Sequence, residues 1–354
     1  MDTTIVNSLP DSLAQLQAIA DTVSVAAADS TKFMTAMEEL NNLNVTMGGK
    51  GGMLALNIVL AIVMFGVALG IKPRNFVDII KNPRSVIIGM VCQLLLLPAL
   101  TFLLTITFKN ILTPMISLGM LLVAACPGGN ISNFITSLSR GNSELSVSLT
   151  AINTALCVIM TPLNFSFWGN LYIKFAGKRI PDLPELTIDG TEILITIFII
   201  LGIPLVLGML CAQYLPKLTE KLKKPMSYLS IVFFIGMVII AFSGNFDVFI
   251  KCIKYIFVIV LLHNLLALGI GFGTSTLLKT PYKDRRTITI ETGIQNSGLG
   301  LALLLNPAIF NPEVWANNGG MLIITAWWGV WHIISGLTLA TSWKIWGRKE
   351  TNED

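Results

Sequence analysis

Glu291 is the side chain whose surroundings point most directly to chemistry, because it lies in a long apolar stretch, residues 287–308. Amides, hydroxyls and two glycines follow it, in the order Thr292-Gly293-Ile294-Gln295-Asn296-Ser297-Gly298. A charge at the bilayer centre costs about 2.5–3.5 kcal/mol on insertion scales, and the stretch contains no Arg, Lys or His as a partner. A bound cation is the simplest remaining partner, and oxygen ligands of this kind suit a hard ion such as sodium.

The composition is that of an integral membrane protein. Of 354 residues, 53% are hydrophobic and only 12% are charged, whereas soluble domains carry about 25% charged residues. Runs of roughly 20 apolar residues recur, which is the length of a membrane-spanning helix and not the alternating pattern of a β-barrel. We therefore expect an all-α polytopic membrane protein. Its net charge of +4 reports membrane topology rather than nucleic-acid binding.

The spacing of cysteine and histidine argues against a metal site of the zinc type. The five cysteines are isolated in the sequence, and the two histidines have no CxxC or HExxH context. GxSxG and paired-carboxylate arrangements are also absent from the polar positions. We predict that the protein is not an enzyme and has no catalytic residues.

Nine stretches have the length and composition of membrane spans. They cover residues 53–71, 86–108, 114–139, 145–168, 191–215, 226–244, 255–278, 287–308 and 320–343. Sixteen of the 24 lysines and arginines then fall on one side, which the positive-inside rule places in the cytoplasm together with residues 344–354. The clusters Lys221-Lys223-Lys224 and Arg285-Arg286 are interpreted as orientation signals and lipid-headgroup contacts.

Residues 1–52 are expected to form an extracytoplasmic tail, because they are acidic and contain no long apolar run. Apolar residues recur there at helical spacing, namely Leu13, Leu16, Ile19 and Val23. A short amphipathic helix and a partly disordered segment are both compatible with this pattern.

The third and eighth spans are both interrupted near mid-depth. Pro127-Gly128-Gly129-Asn130 separates two halves of the third span, and Gly293 and Gly298 bracket the polar cluster of the eighth. Proline removes a backbone donor and glycine loosens a helix, so backbone groups become free to face a cavity. The predicted topology runs these spans in opposite directions, which indicates an inverted repeat with its binding site at the midplane. Local packing is the alternative explanation for such breaks.

These motifs, in this order, resemble the bile acid:sodium symporter family. The matching residues are Cys126-Pro127-Gly128-Gly129, Ser132-Asn133, Arg140-Gly141-Asn142, Leu145-Ser146-Val147 and the string from Glu291 to Gly298, with further matches at Met64-Phe65-Gly66, Gln93…Pro98, Leu262-His263-Asn264 and Trp331-His332…Ser335-Gly336. The likeness covers about residues 53–343. It implies a nine-helix transporter with a panel domain (53–71, 191–215 and 226–244) and a core domain, formed by the other six spans, in which two unwound helices cross.

The resemblance also implies two sodium sites behind the crossing. The first would use Ser132, Asn133, Ser146, Thr150 and Glu291; the second would use Gln93, Glu291 and Gln295 with backbone carbonyls at Thr292 and Ile294. Residue spacing supports the first site independently of the resemblance, since Ser146 and Thr150 are four residues apart and therefore face one side of a helix. Interhelical hydrogen bonding is the alternative role for such a hydroxyl pair.

The anion is expected at the crossing, where the resemblance suggests Asn130, Asn296 and His332 as its contacts. Positive ends of half-helix dipoles would add to its binding there. Relatives often carry a smaller residue at Asn130 and an asparagine at Ile333. His263 lies on a separate span and is interpreted as structural.

Three functions remain open at this point. The leading one is sodium-driven import of a small organic anion, bile-acid-like or a small carboxylate or sulfonate, across the cell (inner or plasma) membrane. The second keeps the fold but couples transport to protons bound by Glu291. The third is a channel or a membrane enzyme, which the missing catalytic motifs disfavour. Membrane lipid is the other expected partner; no protein or nucleic-acid partner is inferred.

Overall fold

The computed structural model is all-α in the part of the chain that it describes. That part comprises residues 29, 31–36, 38–39, 49–71, 83–176, 190–243, 246–307, 309–310, 315 and 318–346. Within it, the single β-type pairing is an antiparallel bridge between Gly128 and Gln295. The all-α prediction is confirmed. The predicted amphipathic helix near residues 13–23, with most of the two tails, lies outside the described residues.

The helices of the membrane region are numbered here in chain order. They are α1 (Gly49–Ala68), α2 (Pro83–Val91), α3 (Leu97–Thr107), α4 (Pro114–Ala125), α5 (Ile131–Leu138), α6 (Ser143–Ala176), α7 (Gly190–Ile197), α8 (Ile203–Tyr214), α9 (Pro216–Ser243), α10 (Phe246–Leu277), α11 (Tyr282–Gly293), α12 (Ser297–Leu304) and α13 (Gly319–Trp346). A five-residue π-helical turn joins α2 to α3, and another joins α7 to α8. Each turn directly precedes a helix with proline in its first turn, where the missing N–H disturbs the regular ladder.

Each of the nine predicted spans corresponds to helix in the described residues, but not every span is one long helix. Six helical stretches among the described residues are long and apolar enough to cross a membrane, two of them formed by helices joined through a π-helical turn. Two shorter apolar stretches, Leu56–Ala68 within α1 and Pro114–Ala125, accompany them. The third and eighth spans are each divided, into α4 and α5 and into α11 and α12. Each half is too short to cross a membrane alone, but the two halves of a span together have the required length.

Several predicted boundaries were wrong, because helices continue into polar sequence. α9 begins at Pro216 instead of residue 226, α10 begins at Phe246 instead of 255, and α6 ends at Ala176 instead of 168. The predicted spans stopped where apolar character stopped, whereas a helical backbone can continue into the interface with long charged side chains directed to water. Lys221, Lys223 and Lys224, which the predicted spans left in a connecting loop, therefore lie on α9.

Packing places one group of helices beside the crossing of the two divided spans. α1, α8 and α9 contact one another, and α9 also contacts α12 and α13. Elsewhere α13 packs along α4, and α10 packs along α11. Buried side chains such as Leu60 and Met64 of α1 join Leu121 and Leu301 of the divided spans in one hydrophobic cluster. The division into panel and core domains stays a prediction.

Candidate ion- and anion-binding site

The two divided spans cross at their breaks. Two backbone hydrogen bonds connect the extended stretches: Gly129 N donates to Ile294 O and Asn296 N donates to Pro127 O, each at 2.8 Å. The stretches therefore form a short antiparallel pair, which satisfies backbone groups that the breaks remove from the helices. Four half-helices end or begin at this one point.

Glycine permits the close approach at this point. A Cβ added to Gly128 would lie 3.2 Å from Oε2 of Glu291, and one added to Gly129 would lie 3.0 Å from the carbonyl oxygen of Gln295. Both separations are tighter than ordinary van der Waals contact. The glycines thus bring the unwound backbone of one span directly against the carboxylate and the backbone of the other.

Glu291 lies near the end of α11, where it is 2% exposed, and three hydroxyls surround it. Ser132 Oγ donates to Oε1 at 2.6 Å, and Ser146 Oγ donates to the same oxygen at 2.5 Å. Thr150 Oγ1 donates to Oε2 at 3.0 Å. The carboxylate is therefore held where α5, α6 and α11 meet.

Asn133 completes this group, so that the five residues predicted for the first sodium site lie together. Its Oδ1 lies 2.9 Å from Ser146 Oγ and 3.4 Å from Thr150 Oγ1. In the described part of the chain, the one carboxylate-to-lysine ion pair is Lys251 with Glu39, so Glu291 has no basic partner there. Each hydroxyl oxygen retains acceptor lone pairs, and an all-oxygen set suits a hard cation.

The entry to α6 fixes the position of Ser146. Arg140, at φ 59°, ends α5 in the left-handed conformation, and Gly141 N donates back to Thr136 O at 2.9 Å. Asn142 then caps α6, because its Oδ1 accepts from Leu145 N at 3.1 Å. This helix stop and helix start explain the Arg-Gly-Asn string between the two groups of hydroxyls.

The residues predicted for the second sodium site are also neighbours, but most of their oxygens are engaged. Gln93 and Gln295 exchange amide hydrogen bonds, at 2.7 Å and 3.1 Å. Gln295 Nε2 also donates to Thr292 O at 2.7 Å, and Ile294 O accepts the bond from Gly129. In this conformation the set is a closed network of amides, whereas the first set surrounds a carboxylate.

Sequence reasoning missed three polar residues that support the site. Thr136 Oγ1 lies 3.3 Å from Ser146 Oγ. Asn264 Nδ2 donates to Gly293 O at 2.8 Å, at the end of α11, and Ser335 Oγ donates to Asn264 Oδ1 at 2.6 Å. Thr136 follows Ser132 by four residues, so helical spacing could have placed it on the same face. Asn264 carries the signal of a polar side chain in an apolar span.

A cavity of about 720 Å³ lies between α1 and α9 on one side and the crossing on the other. Asn130, Asn296 and His332, the predicted anion contacts, all line it. Apolar residues of α1, such as Leu60 and Met64, form part of the opposite wall. Small-molecule sites typically enclose about 300–1,000 Å³, with apolar walls and a few convergent polar groups.

The three predicted contacts differ in what they can still offer a ligand. Asn296 Oδ1 accepts from Leu299 N at 3.1 Å and so caps α12, which leaves its amide N–H groups for other partners. His332 is 4% exposed, and no hydrogen bond reaches its Nδ1 from the described residues. Asn130 is exposed at the start of α5. His263, by contrast, bonds to Thr101 Oγ1 at 2.8 Å, in keeping with a structural role.

Comparison with known proteins agrees with this architecture. The sequence profile of the Sodium Bile acid symporter family matches residues 57–252. The chain is also 33% identical over 288 residues to an uncharacterized sodium-dependent transporter of Bacillus subtilis (strain 168), YocS, covering 81% of this chain and 82% of the relative. The chain belongs to the sodium bile acid symporter family. The predicted family is confirmed. The prediction that the protein is a transporter and not an enzyme is also confirmed.

Two eukaryotic proteins are also similar to this chain over much of their length. A probable sodium/metabolite cotransporter of Oryza sativa subsp. japonica, BASS2, chloroplastic, is 29% identical over 302 residues, which are 83% of this chain and 65% of the relative. The sodium-dependent organic anion transporter of Bos taurus is 26% identical over 301 residues, which are 84% of this chain and 74% of the relative. The site residues, the anion and the orientation of this family member stay predictions.

Proposed function

We propose that this protein is a secondary active symporter that couples the import of an organic anion to sodium. The observation that carries the proposal is the buried carboxylate of Glu291, which contacts three hydroxyls and, among the described residues, no basic side chain. An isolated buried charge of this kind is costly unless a cation can neutralise it. Sodium dependence in the names of relatives from bacteria and mammals supports sodium as that cation.

The first sodium would bind among Ser132, Asn133, Ser146, Thr150 and Glu291. The hydroxyls now donate to the carboxylate, and rotation about their C–O bonds would direct lone pairs to an ion instead. No backbone movement is required for that change. The first site is therefore preorganised on three helices.

The second sodium would bind between Gln93, Gln295 and Glu291 with the carbonyls of Thr292 and Ile294. Because the two glutamine amides bond to each other, their oxygens must turn away from that pairing before they can contact an ion. We infer that this site forms after the first, and that its formation includes a rearrangement at the crossing.

The energy available from two sodium ions is sufficient for accumulation. A tenfold sodium gradient supplies about 1.4 kcal/mol per ion. If two ions accompany one monoanion, one net positive charge moves inward, and the membrane potential adds about 2.3 kcal/mol per 100 mV. Both terms favour import of the anion.

Alternating access follows if Glu291 is charged when empty and neutralised when loaded. α1, α7, α8 and α9 would form the panel and the remaining helices the core, with the cavity between them. Sodium binding would lower the free-energy cost of burying Glu291 at the crossing. It would thereby shift the equilibrium between the positions that the core can take relative to the panel. The cavity reaches Gly70 and Ile71, which follow the end of α1. The predicted topology places this end of α1 on the cytoplasmic side. We infer an inward-open arrangement.

Uptake into proteoliposomes tests this function. Radiolabelled taurocholate and a series of short carboxylates and sulfonates are offered under an inward sodium gradient, under an equal potassium gradient and under a proton gradient. We expect accumulation of at least one anion with sodium only, and none in Glu291→Gln. Accumulation driven by protons alone would favour the proton-coupled alternative, and undiminished sodium-driven uptake in Glu291→Gln would contradict the assignment.

A further inference from the structure

Helix α9 presents a single face to the cavity. Lys223, Ser227, Ser230 and Phe234 all line it, at spacings of four, three and four residues. Residues three and four apart lie on one side of a helix, so these side chains form a continuous row. The row, called here the α9 face, extends over about 16 Å at a rise of about 1.5 Å per residue.

The two ends of the α9 face have different surroundings. At the inner end, the ring of Phe234 reaches the crossing, because a Cβ added to Gly298 would lie 3.3 Å from its Cδ2 and one added to Gly329 would lie 2.6 Å from its Cζ. At the opposite end, Lys223 is exposed and lines the cavity together with Ile71. The α9 face thus leads from the crossing to the mouth of the cavity.

Lys223 gives the cavity its charge. It is the one charged residue among the described residues that line the cavity. Ser227 and Ser230 follow it with hydroxyls, and that of Ser230, which donates to Met226 O at 2.9 Å, must rotate away to reach a ligand. Val63 and Ile231 contribute apolar wall. An ammonium group with two nearby hydroxyls at the edge of an apolar surface is suited to a carboxylate or sulfonate attached to an apolar body.

We propose that Lys223, Ser227 and Ser230 form a separate anion subsite at the mouth of the cavity. It holds the carboxylate or sulfonate of an amphipathic organic anion while the apolar body lies along α1 and α9. The subsite is separate from Asn130, Asn296 and His332 at the crossing. It rests on the proposed transport function, since it is a station on the path of the anion.

Lys224 provides a matched control for Lys223. It is the next residue on α9 and is also exposed, but it points about 100° away around the helix and does not line the cavity. Removing either lysine changes the net charge of the protein equally. An effect of Lys223 alone therefore reports its position in the cavity and not the overall charge.

The first test measures the charge preference of the subsite without sodium or transport. Ser227→Cys introduces one thiol beside Lys223, while the native cysteines are buried. The thiol is modified in potassium buffer with anionic sulfonatoethyl and cationic trimethylammonioethyl methanethiosulfonate. We expect Lys223→Gln to lower the anionic-to-cationic rate ratio about three- to fivefold, as the loss of one exposed charge at short range would, and Lys224→Gln to leave it unchanged. Equal effects of both variants, or none, would overturn the proposal.

The second test uses taurocholate as the amphipathic anion, in nanodiscs and sodium buffer. We expect taurocholate to slow modification of Ser227→Cys, and Lys223→Gln to weaken its binding about three- to fivefold while Lys223→Arg restores it. Absence of protection would overturn the subsite. So would an effect seen only in nanodiscs with anionic lipid and not in phosphatidylcholine, because Lys223 would then bind lipid. A failure of sodium coupling would instead show in Glu291→Gln and leave the reagent ratio of the first test intact.

Discussion

Glu291 and Asp284 lie on the same face of α11, seven residues and two turns apart, and both are buried in the structure. Neither forms an ion pair with a basic residue of the described chain. Asp284 accepts from Ser85 Oγ at 2.6 Å and from Asn142 Nδ2 at 2.8 Å. At first sight, therefore, each is a buried carboxylate in a polar pocket between α11 and α6, about 10 Å from the other along the helix axis.

The hydrogen-bonding capacity of the partners distinguishes the two pockets. The side chains that donate to Glu291 are hydroxyls, which can rotate and offer lone pairs to a cation. Asp284 is held partly by the NH2 group of Asn142, which can only donate, and the oxygen of that same amide already caps α6. Burial of a carboxylate is thus not enough to identify an ion site; the freedom of its partners decides.

Asp284 therefore fits a positioning role. It ties α11 to the start of α6 through Asn142, and Thr287 on the same face accepts from Asn142 N at 2.8 Å. These contacts fix α6 against α11 two turns before Ser146 and Thr150 meet Glu291. Matched variants of Glu291 and Asp284 test this difference between the two pockets.

Glu291→Gln should show the strongest change, which is the loss of sodium-linked stability. Sodium at about 100 times its Kd should raise the free energy of unfolding of the wild type by about 2.7 kcal/mol, because it binds the folded state. Thermal unfolding in sodium and in potassium, at equal pH and ionic strength, measures this. We expect the difference to vanish in Glu291→Gln and to persist in Asp284→Asn. The reverse pattern would exchange the roles of the two carboxylates.

The next effect concerns stability rather than sodium. Asp284→Ala leaves Ser85 Oγ and Asn142 Nδ2 without their acceptor, which should cost about 1–3 kcal/mol in the free energy of unfolding. Sodium half-saturation should change less than about threefold, because no ligand oxygen is removed; the threefold limit corresponds to about 0.7 kcal/mol. Denaturant unfolding of detergent-solubilised protein, followed by sodium titration, provides both values. A sodium affinity lowered as strongly as the stability would assign Asp284 to the ion site.

The difference between these carboxylates also marks the limit of what the sequence could predict. Glu291 stood out because an apolar stretch and a lack of basic neighbours can be recognised locally. Asp284 falls in a polar segment before that stretch, so its burial depends on Ser85 and Asn142, which are 199 and 142 residues away. Local pattern contains no information about such partners.

Local sequence likewise indicated the divided spans but not the full length of α9. Proline and glycine clustered with polar residues predicted the breaks in the third and eighth spans, because together they leave several backbone groups outside a helix. Single prolines do not have this effect, since Pro162 and Pro225 lie inside the continuous helices α6 and α9. The prediction that Lys223 lies in a connecting loop was wrong, because the apolar sequence begins after the helix does. The pairing of Gln93 with Gln295 also escaped the sequence, since two amides 202 residues apart can bond to each other as well as to an ion.

Ser146→Ala tests the contribution of one hydroxyl of the Glu291 pocket to sodium binding. Its Oγ contacts both Glu291 and Asn133, so its removal should raise sodium half-saturation about tenfold, equivalent to about 1.4 kcal/mol. Ser148 is a matched control on α6, because its buried Oγ donates to the backbone oxygen of Glu144. Sodium titrations of thermal stability compare the two. Equal shifts in Ser146→Ala and Ser148→Ala would point to a general effect on α6.

The smallest effect is expected for Gln93→Ala. In the second set, each glutamine must give up a bond to the other before its oxygen can reach an ion, so the net contribution of Gln93 is a difference between similar terms. We expect sodium half-saturation to rise only about threefold, roughly 0.7 kcal/mol, with a lower Hill coefficient because the second ion is affected and the first is not. Thr101→Val, which removes a buried hydroxyl bonded to His263, should leave both values unchanged. If Gln93→Ala instead abolished the sodium response as Glu291→Gln does, the two sites would not be separable, and the order of binding inferred from the paired amides would be wrong.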